Sequence, residues 1–450
     1  MADRLVNPPA EGWSLTIPHR MWQDLSTHLF RNDKDEHGGV ILAGLAPGPR
    51  GPRLLARELL LATDGIGYVP GTTGYRALHP TFVRDAALRA ADEHLAYLAF
   101  HNHFGTTTVS FSTTDMASHE RGYPALRQLT GQVVGGLVLT RDAAAGDLWL
   151  PDGQRVELAE VVVPGTNLIR LRARPALNGP TDAQRQRQAL MLGDQGQEVL
   201  RRMCVAVAGL GGAGSILVEF LARLGVDHLI LIDDDTVDDD GTNLCRLIAA
   251  EPDDPGRPKT ELAARNARRA NPNIKLTIIS RRIETLEARE ALTTCDWIFL
   301  AADTHAARHW INQTIHQYLI PAIQVGVKIP VNEDGDIGQI HAVTRLFLPG
   351  DGCMWCNGLI NPTQLAIDML PNEQRAAARY IPEVAAPSVI TLNGTAVMEA
   401  LNHFLLATTG LLTDDDTIST VIHLPQNRER LRQHHRQETG CIWCTAPLRS

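Results

Sequence analysis

The chain has 450 residues, 44% of them hydrophobic and 21% charged, with a formal net charge of −9. This length gives room for two or three domains with their own cores, and the acidic balance argues against a nucleic-acid-binding protein. Charged residues or glycine interrupt every apolar stretch before it could span a membrane. The first 30 residues lack the apolar core of a signal peptide, so we expect a cytoplasmic protein.

Residues 1–163 are predicted to form an α+β domain. Hydrophobic periodicity indicates helices at 18–30 and 82–95, and strands at 40–43, 54–62, 97–100, 133–139 and 148–163. The strand at 97–100 leads directly into the histidines of a candidate metal site.

The candidate metal site begins with His101 and His103. Residues i and i+2 of a strand point to the same side, so both imidazoles would face one metal ion. Asp115 would be a third ligand, which leaves the open position that a hydrolytic zinc site needs for water. Ser112 lies near enough in sequence to donate a hydrogen bond to an oxyanion. The plainer alternative is a pair of exposed histidines on a strand.

This pattern resembles the JAMM (JAB/MPN) metalloproteases, which include deubiquitinases, over about residues 20–145. The resemblance implies zinc-dependent cleavage of a peptide or isopeptide bond. It implies that His101, His103 and Asp115 bind a catalytic zinc ion. It also implies that Glu36, on an early strand, is the general base.

Two departures from the family pattern are visible. Phe104 stands where the family usually has proline, and the interval from His103 to Ser112 is one residue longer than usual. A widened loop would displace the downstream site residues, which leaves a domain that only binds as an alternative. His37 and His119 are expected to lie at the surface.

Residues 164–183 are rich in proline, glycine, asparagine and arginine without any period, and are predicted to be a linker. Residues 184–425 show the βαβ pattern of a doubly wound, Rossmann-like α/β domain, and residues 426–450 are predicted to be a C-terminal tail. The predicted elements of the α/β domain are a helix at 184–203 and strands at 205–208, 229–232, 274–280 and 297–301.

A glycine-rich turn follows the first strand of this domain and contains Gly209, Gly211, Gly212 and Gly214. Glycines let the backbone approach a phosphate, and the start of the next helix supplies oriented N–H groups. Asp233, at the end of the second strand, is placed to bond a ribose. On this motif alone, an NAD-dependent dehydrogenase is at least as good an interpretation.

Residues beyond the turn favour nucleotidyl transfer. Arg246 and Lys259 supply cations for phosphate charge and Asp303 supplies a carboxylate for magnesium, none of which hydride transfer needs. With Asn243 they resemble the ThiF/MoeB family, the adenylating domain of ubiquitin-activating enzymes, over about residues 184–425. The resemblance implies that Arg246 and Lys259 contact ATP phosphates, that Asn243 helps form the nucleotide pocket, and that Asp303 binds Mg²⁺.

Two further residues are assigned through the same resemblance. Arg187 matches the arginine that reaches into the partner subunit's ATP site, which implies a homodimer; the alternative is a solvated helix face. Asp235 is assigned to the nucleotide pocket beside Asp233, although two extra residues separate it from Asn243 relative to the family spacing.

Seven cysteines in a reducing compartment argue against a disulfide framework. Two Cys-x-x-Cys pairs supply the four thiolates that a closed, structural zinc site prefers, and the ThiF/MoeB family has the same tetrad: Cys353, Cys356, Cys441 and Cys444. No cysteine lies between 357 and 387, where thioester-forming activating enzymes carry their nucleophile. The adenylate is therefore expected to pass to a thiol of another protein.

Together these features predict a JAMM-like domain fused to a ThiF-like adenylating domain. The second domain would join AMP to the C-terminal carboxylate of a ubiquitin-like (β-grasp) protein, and the first would process or deconjugate that protein. A conjugating-enzyme-like protein is then the acceptor. One alternative is activation of a sulfur carrier for thiocarboxylate-dependent cofactor or amino-acid synthesis, with a sulfur-transfer partner. Another is a catalytically degenerate binding module.

Overall fold

The computed structural model describes residues 6–70, 74–176, 181–371, 374–375, 387–413 and 419–445. The chain divides into two units, Met1–Gly179 and Pro180–Ala446. Within the described ranges, none of the helices has both the length and the apolarity that crossing a membrane would require.

The first unit is built on one sheet. Its strands are β1 (Trp13–Thr16), β2 (Gly38–Ala46), β3 (Arg53–Leu61), β4 (Ala96–Asn102), β5 (Val134–Leu139), β6 (Ala144–Trp149), β7 (Arg155–Pro164) and β8 (Leu168–Leu171). Their order is β1-β3-β2-β4-β5-β6-β7-β8, and β1 also pairs with β7. The strands from β1 to β7 therefore form a closed ring, with β8 added outside it.

Three helices accompany this sheet: α1 (His19–Leu29), α2 (Pro80–Asp92) and α3 (Thr113–Thr130). Leu25 of α1 packs in one apolar cluster with Ile41 of β2. Ala87 of α2 and Tyr123 of α3 pack in a second cluster with the adjacent β2 residue, Val40. Successive strand residues point to opposite faces, so β2 is buried on both sides. The first residue of β2 is therefore fixed in position next to the residues that precede the strand.

The second unit also contains one sheet. Its strands are β9 (Cys204–Ala208), β10 (His228–Ile232), β11 (Lys275–Ile279), β12 (Trp297–Leu300), β13 (Ala322–Lys328), β14 (His341–Phe347), β15 (Thr420–Leu424) and β16 (Glu429–Gln433). Their order is β11-β10-β9-β12-β13-β14-β15-β16. The five neighbouring strands β11, β10, β9, β12 and β13 are parallel to one another. Strands β14, β15 and β16 continue the sheet in antiparallel pairing.

Helices cover both faces of the second sheet. They are α4 (Gln186–Arg202), α5 (Gly212–Leu224), α6 (Lys259–Ala270), α7 (Leu286–Thr293), α8 (His305–Tyr318), α9 (Pro362–Asp368) and α10 (Ile390–Thr408). Phe404 of α10 packs edge-on against Trp297 and Phe299 of β12. On the other face, Ile311 of α8 clusters with Ile298. The Rossmann-like fold expected from the sequence is confirmed in the parallel half, whereas the antiparallel strands were not predicted.

Several details differ from the sequence-based expectations, among them the unpredicted strands β1 and β13. The strand predicted at 148–163 is a hairpin of β6 and β7, because the turn at Gly153, with φ +93°, reverses the chain. Helix α3 was not predicted, since Gly122 and Pro124 inside it are poor helix formers. The predicted linker contains β8, whose four residues are too few to show a period. The predicted tail contains β16, whose five residues are all exposed and show no apolar alternation. Residues 177–180 of the predicted linker lie outside the described residues.

Candidate active sites

The glycine turn of the second unit connects β9 to α5. Gly209 has φ +90°, which favours glycine, and a Cβ on Gly214 would overlap the carbonyl oxygen of Gly209. A Cβ on Gly211, in contrast, would meet no atom within 4 Å. Gly211 is also the residue that begins α5 as its N-cap. The turn is therefore tightly packed on its inner side and open at the helix N-terminus, where a phosphate would bind.

Asp233 is held against this turn. Its carboxylate accepts hydrogen bonds from the main-chain N–H of Leu210 and, at 2.8 Å, of Asp235. Burial raises the pKa of Asp233. The Lys259 ammonium and the two N–H groups lower it and so oppose this shift. The side chain assigned to the ribose thus lies beside the turn.

Two polar atoms near the short 3₁₀ turn Leu244–Arg246 lack partners. Asn243 is 2% exposed, and its Oδ1 accepts a hydrogen bond from the main-chain N–H of Asp238 at 3.3 Å. In the described part of the chain, Asn243 Nδ2 and Arg246 Nε are buried without a hydrogen-bond partner. A buried unpaired donor is costly, and an anionic ligand would remove that cost.

Lys259 is engaged by an acidic neighbour. It is 9% exposed at the start of α6, and its Nζ donates to Asp235 Oδ2 at 2.7 Å. A nucleotide phosphate would have to share or replace this contact. Asp303 is exposed between β12 and the Thr304 cap of α8. The structure therefore gives each of these residues a place at the carboxyl edge of the parallel strands or at the helix that follows.

Arg187 is exposed on the first part of α4, before the helix is interrupted at Gly193, where φ is +69°. Among the contacts of the described residues, none joins Arg187 to the nucleotide residues of its own chain. This placement is compatible with both sequence-based interpretations, a residue directed at a partner and a solvated helix face.

The four cysteines of the two Cys-x-x-Cys pairs lie together. Cys353 Sγ is 3.6 Å from Cys356 Sγ and 3.8 Å from Cys441 Sγ, and Cys356 Sγ is 3.7 Å from Cys444 Sγ. Sulfur ligands about 2.3 Å from a tetrahedral zinc ion are roughly 3.8 Å apart, so the residues present fit the metal. Hydrogen bonding from Cys444 lowers the pKa of the Cys353 thiol, which favours the thiolate that zinc binds. Trp355 and Trp443, one from each pair, stack with centroids 5.8 Å apart and cover the cluster.

In the first unit, the predicted ligands also converge. The Nε2 atoms of His101 and His103 are 3.2 Å apart. Asp115 Oδ1 is 3.5 Å from His101 Nε2, and Asp115 Oδ2 is 3.4 Å from His103 Nε2. Ligand atoms about 2.0–2.1 Å from a tetrahedral zinc ion are roughly 3.3–3.4 Å apart, so this donor set also fits the metal. The longer loop after His103 does not separate Asp115 from the histidines.

Glu36 lies beside the two histidines. Its Oε1 is 3.8 Å from His103 Nε2, and one ligand atom each of Glu36, His101 and His103 lie within 4.8 Å of one another. Burial raises the pKa of Glu36, and the two histidines oppose the shift. Burial also acts on Asp115, but hydrogen bonding to His101 and His103 outweighs it and holds the pKa of Asp115 well below its usual range. Asp115 is thus a carboxylate, as a metal ligand must be.

Ser112 has a local role that the sequence analysis did not assign. Its hydroxyl donates to Asp115 Oδ2 at 2.7 Å and accepts from the Asp115 N–H at 3.2 Å, as part of the capping box of α3. The hydroxyl group is thus bonded to Asp115, and the contact with an oxyanion stays a prediction. The capping pattern Ser-x-x-Asp was visible in the sequence, and it is a signal that could have identified this role.

Two histidines expected at the surface are buried. His37 is 2% exposed, and His119 is 5% exposed. His119 lies one turn beyond Asp115 on α3, and its Nδ1 is 2.8 Å from Asp147 Oδ2 of β6. Nothing local in the sequence indicates this contact, because the partners are 28 residues apart.

Several curated proteins are similar to part of this chain. The SAMP-activating enzyme E1 of Haloferax volcanii is 32% identical over 165 residues, which are 37% of this chain and 57% of that protein. The sulfur carrier protein ThiS adenylyltransferase of Escherichia coli is 32% identical over 151 residues, 32% of this chain and 59% of that protein. Ubiquitin-like modifier-activating enzyme 5 of Arabidopsis thaliana is 30% identical over 176 residues, 35% of this chain and 38% of that protein. The similarity thus spans between 38% and 59% of the length of these relatives.

A crystal structure of E. coli MccB with ATP is similar at 22% identity and a TM-score of 0.45, covering 59% of this chain and 75% of that chain. The sequence model of the ThiF family matches residues 183–441, which is more than half of the chain and lies within the second unit. The chain belongs to the ThiF family.

Proposed function

We propose that the second unit is an ATP-dependent adenylyltransferase that joins AMP to the C-terminal carboxylate of a ubiquitin-like or sulfur-carrier protein. The family and the names of the curated relatives support this proposal. The observation that carries it within the structure is the open helix N-terminus at Gly211, together with the unpaired buried donors of Asn243 and Arg246.

In the proposed reaction, a carboxylate oxygen of the substrate protein attacks the α-phosphorus of ATP, and pyrophosphate leaves. The glycine turn and the start of α5 bind phosphate oxygens, and Arg246 and Lys259 neutralise the charge that builds up on them. Asp233 and Asn243 hold the nucleotide, with Asp235 orienting Lys259. Mg²⁺, bound through Asp303, would supply further charge neutralisation at the phosphates.

The fate of the adenylate separates two forms of this proposal. Modification of proteins needs a conjugating-enzyme-like acceptor, whereas thiocarboxylate synthesis needs a sulfur-transfer partner. The relatives include both activating enzymes and a ThiS adenylyltransferase, so both forms are retained. Because residues 357–387 contain no cysteine, we propose that the acceptor thiol belongs to another protein. A homodimer in which Arg187 reaches the partner's site is part of this proposal.

For the predicted domain 1–163, which lies within the first unit, we propose a JAMM-like zinc peptidase that processes or deconjugates the same carrier protein. The support is the geometry of the metal site. His101, His103 and Asp115 would hold a zinc ion, which supplies Lewis acidity for hydrolysis when bound. Glu36 would take a proton from the attacking water, a role that its raised pKa and its distance from His103 support. A second zinc ion, held by the four cysteines, would be structural.

Adenylation is tested with purified chain, ATP, Mg²⁺ and recombinant ubiquitin-like and sulfur-carrier proteins from the source genome. Pyrophosphate release and AMP on the carrier's C-terminal carboxylate are expected, and both are lost in Asp303→Ala and Lys259→Ala. Asp334→Ala and Lys275→Ala replace exposed residues of the same types in the same unit and serve as controls. If the wild-type chain binds ATP but releases no pyrophosphate with any carrier, the unit is a binding module and the proposal is wrong.

A further inference from the structure

Glu36 lies just before strand β2, so the pairing of β2 with β4 does not hold it in place. Strand β2 begins at Gly38, which is paired with His101 of β4. Glu36 and His37 therefore lie beyond the last residue pair of the two strands. A side chain at such a position faces a site reproducibly only if other contacts hold its main chain.

Asn102 supplies these contacts from between the two histidines. Its Oδ1 accepts a hydrogen bond from the His37 N–H at 2.7 Å, and its own N–H donates to the His37 carbonyl at 3.1 Å. One residue thus bonds both main-chain polar groups of His37. Since alternate residues of a strand point to opposite sides, the Asn102 side chain points away from the imidazoles of His101 and His103.

The neighbouring main-chain groups are also bonded. The Glu36 N–H donates to the Gly74 carbonyl at 2.7 Å, and the Gly38 N–H donates to the Tyr68 hydroxyl at 2.8 Å. The Asn102 contact is the middle one of three consecutive contacts. It is also buried, since Asn102 is 3% and His37 2% exposed, so water cannot readily replace it.

We propose that Asn102 is a positioning residue for Glu36 in the hydrolysis proposed for the first unit. By fixing His37, it sets where the Glu36 carboxylate stands relative to His103. The proposed metal ligands have contacts of their own, and the His103 N–H donates to the Leu139 carbonyl at 2.9 Å. Asp115 is held by Ser112, and His101 is paired with Val138 of β5. The expected effect on kcat rests on the proposed peptidase function, whereas the effect on the position of the Glu36 segment does not.

The test compares Asn102→Ala, Asn102→Asp and Asn7→Ala in the full chain. The carboxylate of Asn102→Asp still accepts from His37, so this variant should rescue. Asn7 is a matched control: it is 5% exposed in the same unit, and its Oδ1 accepts from the Ala176 N–H at 3.3 Å. Zinc affinity, measured by chelator competition, is expected to be unchanged in all three variants, whereas Asp115→Ala loses it.

Hydrogen exchange of the peptide covering 36–40 is expected to be at least about tenfold faster in Asn102→Ala, and close to wild type in Asn102→Asp and Asn7→Ala. With ubiquitin carrying a C-terminal aminomethylcoumarin as probe, kcat of Asn102→Ala should fall about 10–100-fold at unchanged KM, and Asn102→Asp should restore most of it. Unchanged exchange, or zinc loss as in Asp115→Ala, overturns the positioning role. If wild-type chain does not cleave the probe, the peptidase proposal fails for this probe, while exchange and zinc affinity still decide whether Asn102 holds the Glu36 segment.

Discussion

At the scale of single residues, two glycines of the nucleotide turn differ in what surrounds them. Gly211 has an ordinary φ of −73°, and a Cβ there would point into open space. A Cβ on Gly214 would overlap the Gly209 carbonyl oxygen. Replacing each glycine by alanine therefore tests two different properties: access for a ligand at Gly211, and packing of the turn at Gly214.

We expect Gly211→Ala to lower the melting temperature far less than Gly214→Ala, because the methyl group meets no protein atom and only the N-cap preference for glycine over alanine is lost. It should weaken ATP binding at least about tenfold, or roughly 1.4 kcal/mol, because the methyl group occupies the approach of the phosphate. Gly214→Ala should destabilise the second unit by about 1–3 kcal/mol through overpacking and also lose ATP. Calorimetry of unfolding and of ATP binding checks both. Wild-type ATP affinity in Gly211→Ala would place the phosphates elsewhere.

The candidate ligand residues were easier to predict from the sequence than the residues that fix the main chain around them. The spacing of His101, His103 and Asp115 indicated a metal site, and the structure brings the three together. Asn102 stands between the histidines, but its partner His37 is 65 residues away, and no periodicity connects them. Contacts of this kind follow from strand pairing, which a single sequence does not specify.

At the scale of elements, the start of α3 links helix stability to the proposed metal site. Ser112 caps the helix and also donates to Asp115, the proposed ligand. The capping interaction and the orientation of the carboxylate thus depend on one hydroxyl group.

Replacing Ser112 by alanine is expected to reduce the free energy of unfolding of the first unit by about 1 kcal/mol, the usual cost of losing an N-cap. It should also weaken zinc binding, since Asp115 loses a hydrogen bond that orients it. Ser112→Thr retains the hydroxyl and should preserve both properties. Thermal unfolding and chelator competition are the measurements. Weakened stability with unchanged zinc affinity would show that the cap does not orient the ligand.

Helix α8 contains a histidine that must stay neutral. His316 is 5% exposed, and burial lowers its pKa to about 3. The unfolded chain protonates this side chain near pH 6.5, whereas the folded chain does not until about pH 3. Unfolding therefore takes up a proton between these values, and stability falls as the pH is lowered through them.

The expected slope is about 1.4 kcal/mol per pH unit for each such histidine. His316→Asn should be less stable than wild type at pH 7, with a difference that narrows towards pH 5. Urea unfolding of the second unit at the two pH values tests this. A difference that stays constant with pH would mean that His316 is protonated in the folded chain.

Elements were predictable where apolar residues dominate. The parallel strands β9, β10 and β12 are short, mostly buried runs, and these three and β11 were expected within a few residues of their observed bounds. The fifth parallel strand, β13, was not predicted. Strand β14 was not predicted, and β16 was assigned to a tail. Their pairing partners are β13 and β15, and it is this long-range pairing, rather than local composition, that makes them strands.

At the scale of the whole molecule, the two proposed metal sites would use different chemistry in different units. One would be formed by imidazole and carboxylate groups, and the other by four thiolates. Loss of one site is therefore expected to leave the other intact.

We expect the purified chain to bind two zinc ions. His101→Ala should retain one, Cys441→Ala should retain the other, and the double variant should bind neither. Cys441→Ala should also lower the unfolding temperature of the second unit, because its last described segment, 441–445, is held by that site. Metal analysis and calorimetry give the answer. Two zinc ions in His101→Ala would exclude the proposed site in the first unit.

One of the two outer strands of the second sheet, β16, has a consequence for solubility. The edge of a sheet offers unpaired main-chain groups to any extended chain, and proteins protect such edges with charge. All five residues of β16 are exposed, and Glu429, Arg430 and Arg432 place both signs of charge along it. An approaching copy of the same strand would have to desolvate these charges before it could pair. The charges therefore protect this edge against edge-to-edge pairing, and so against fibril-like growth of the sheet, as long as β16 stays folded.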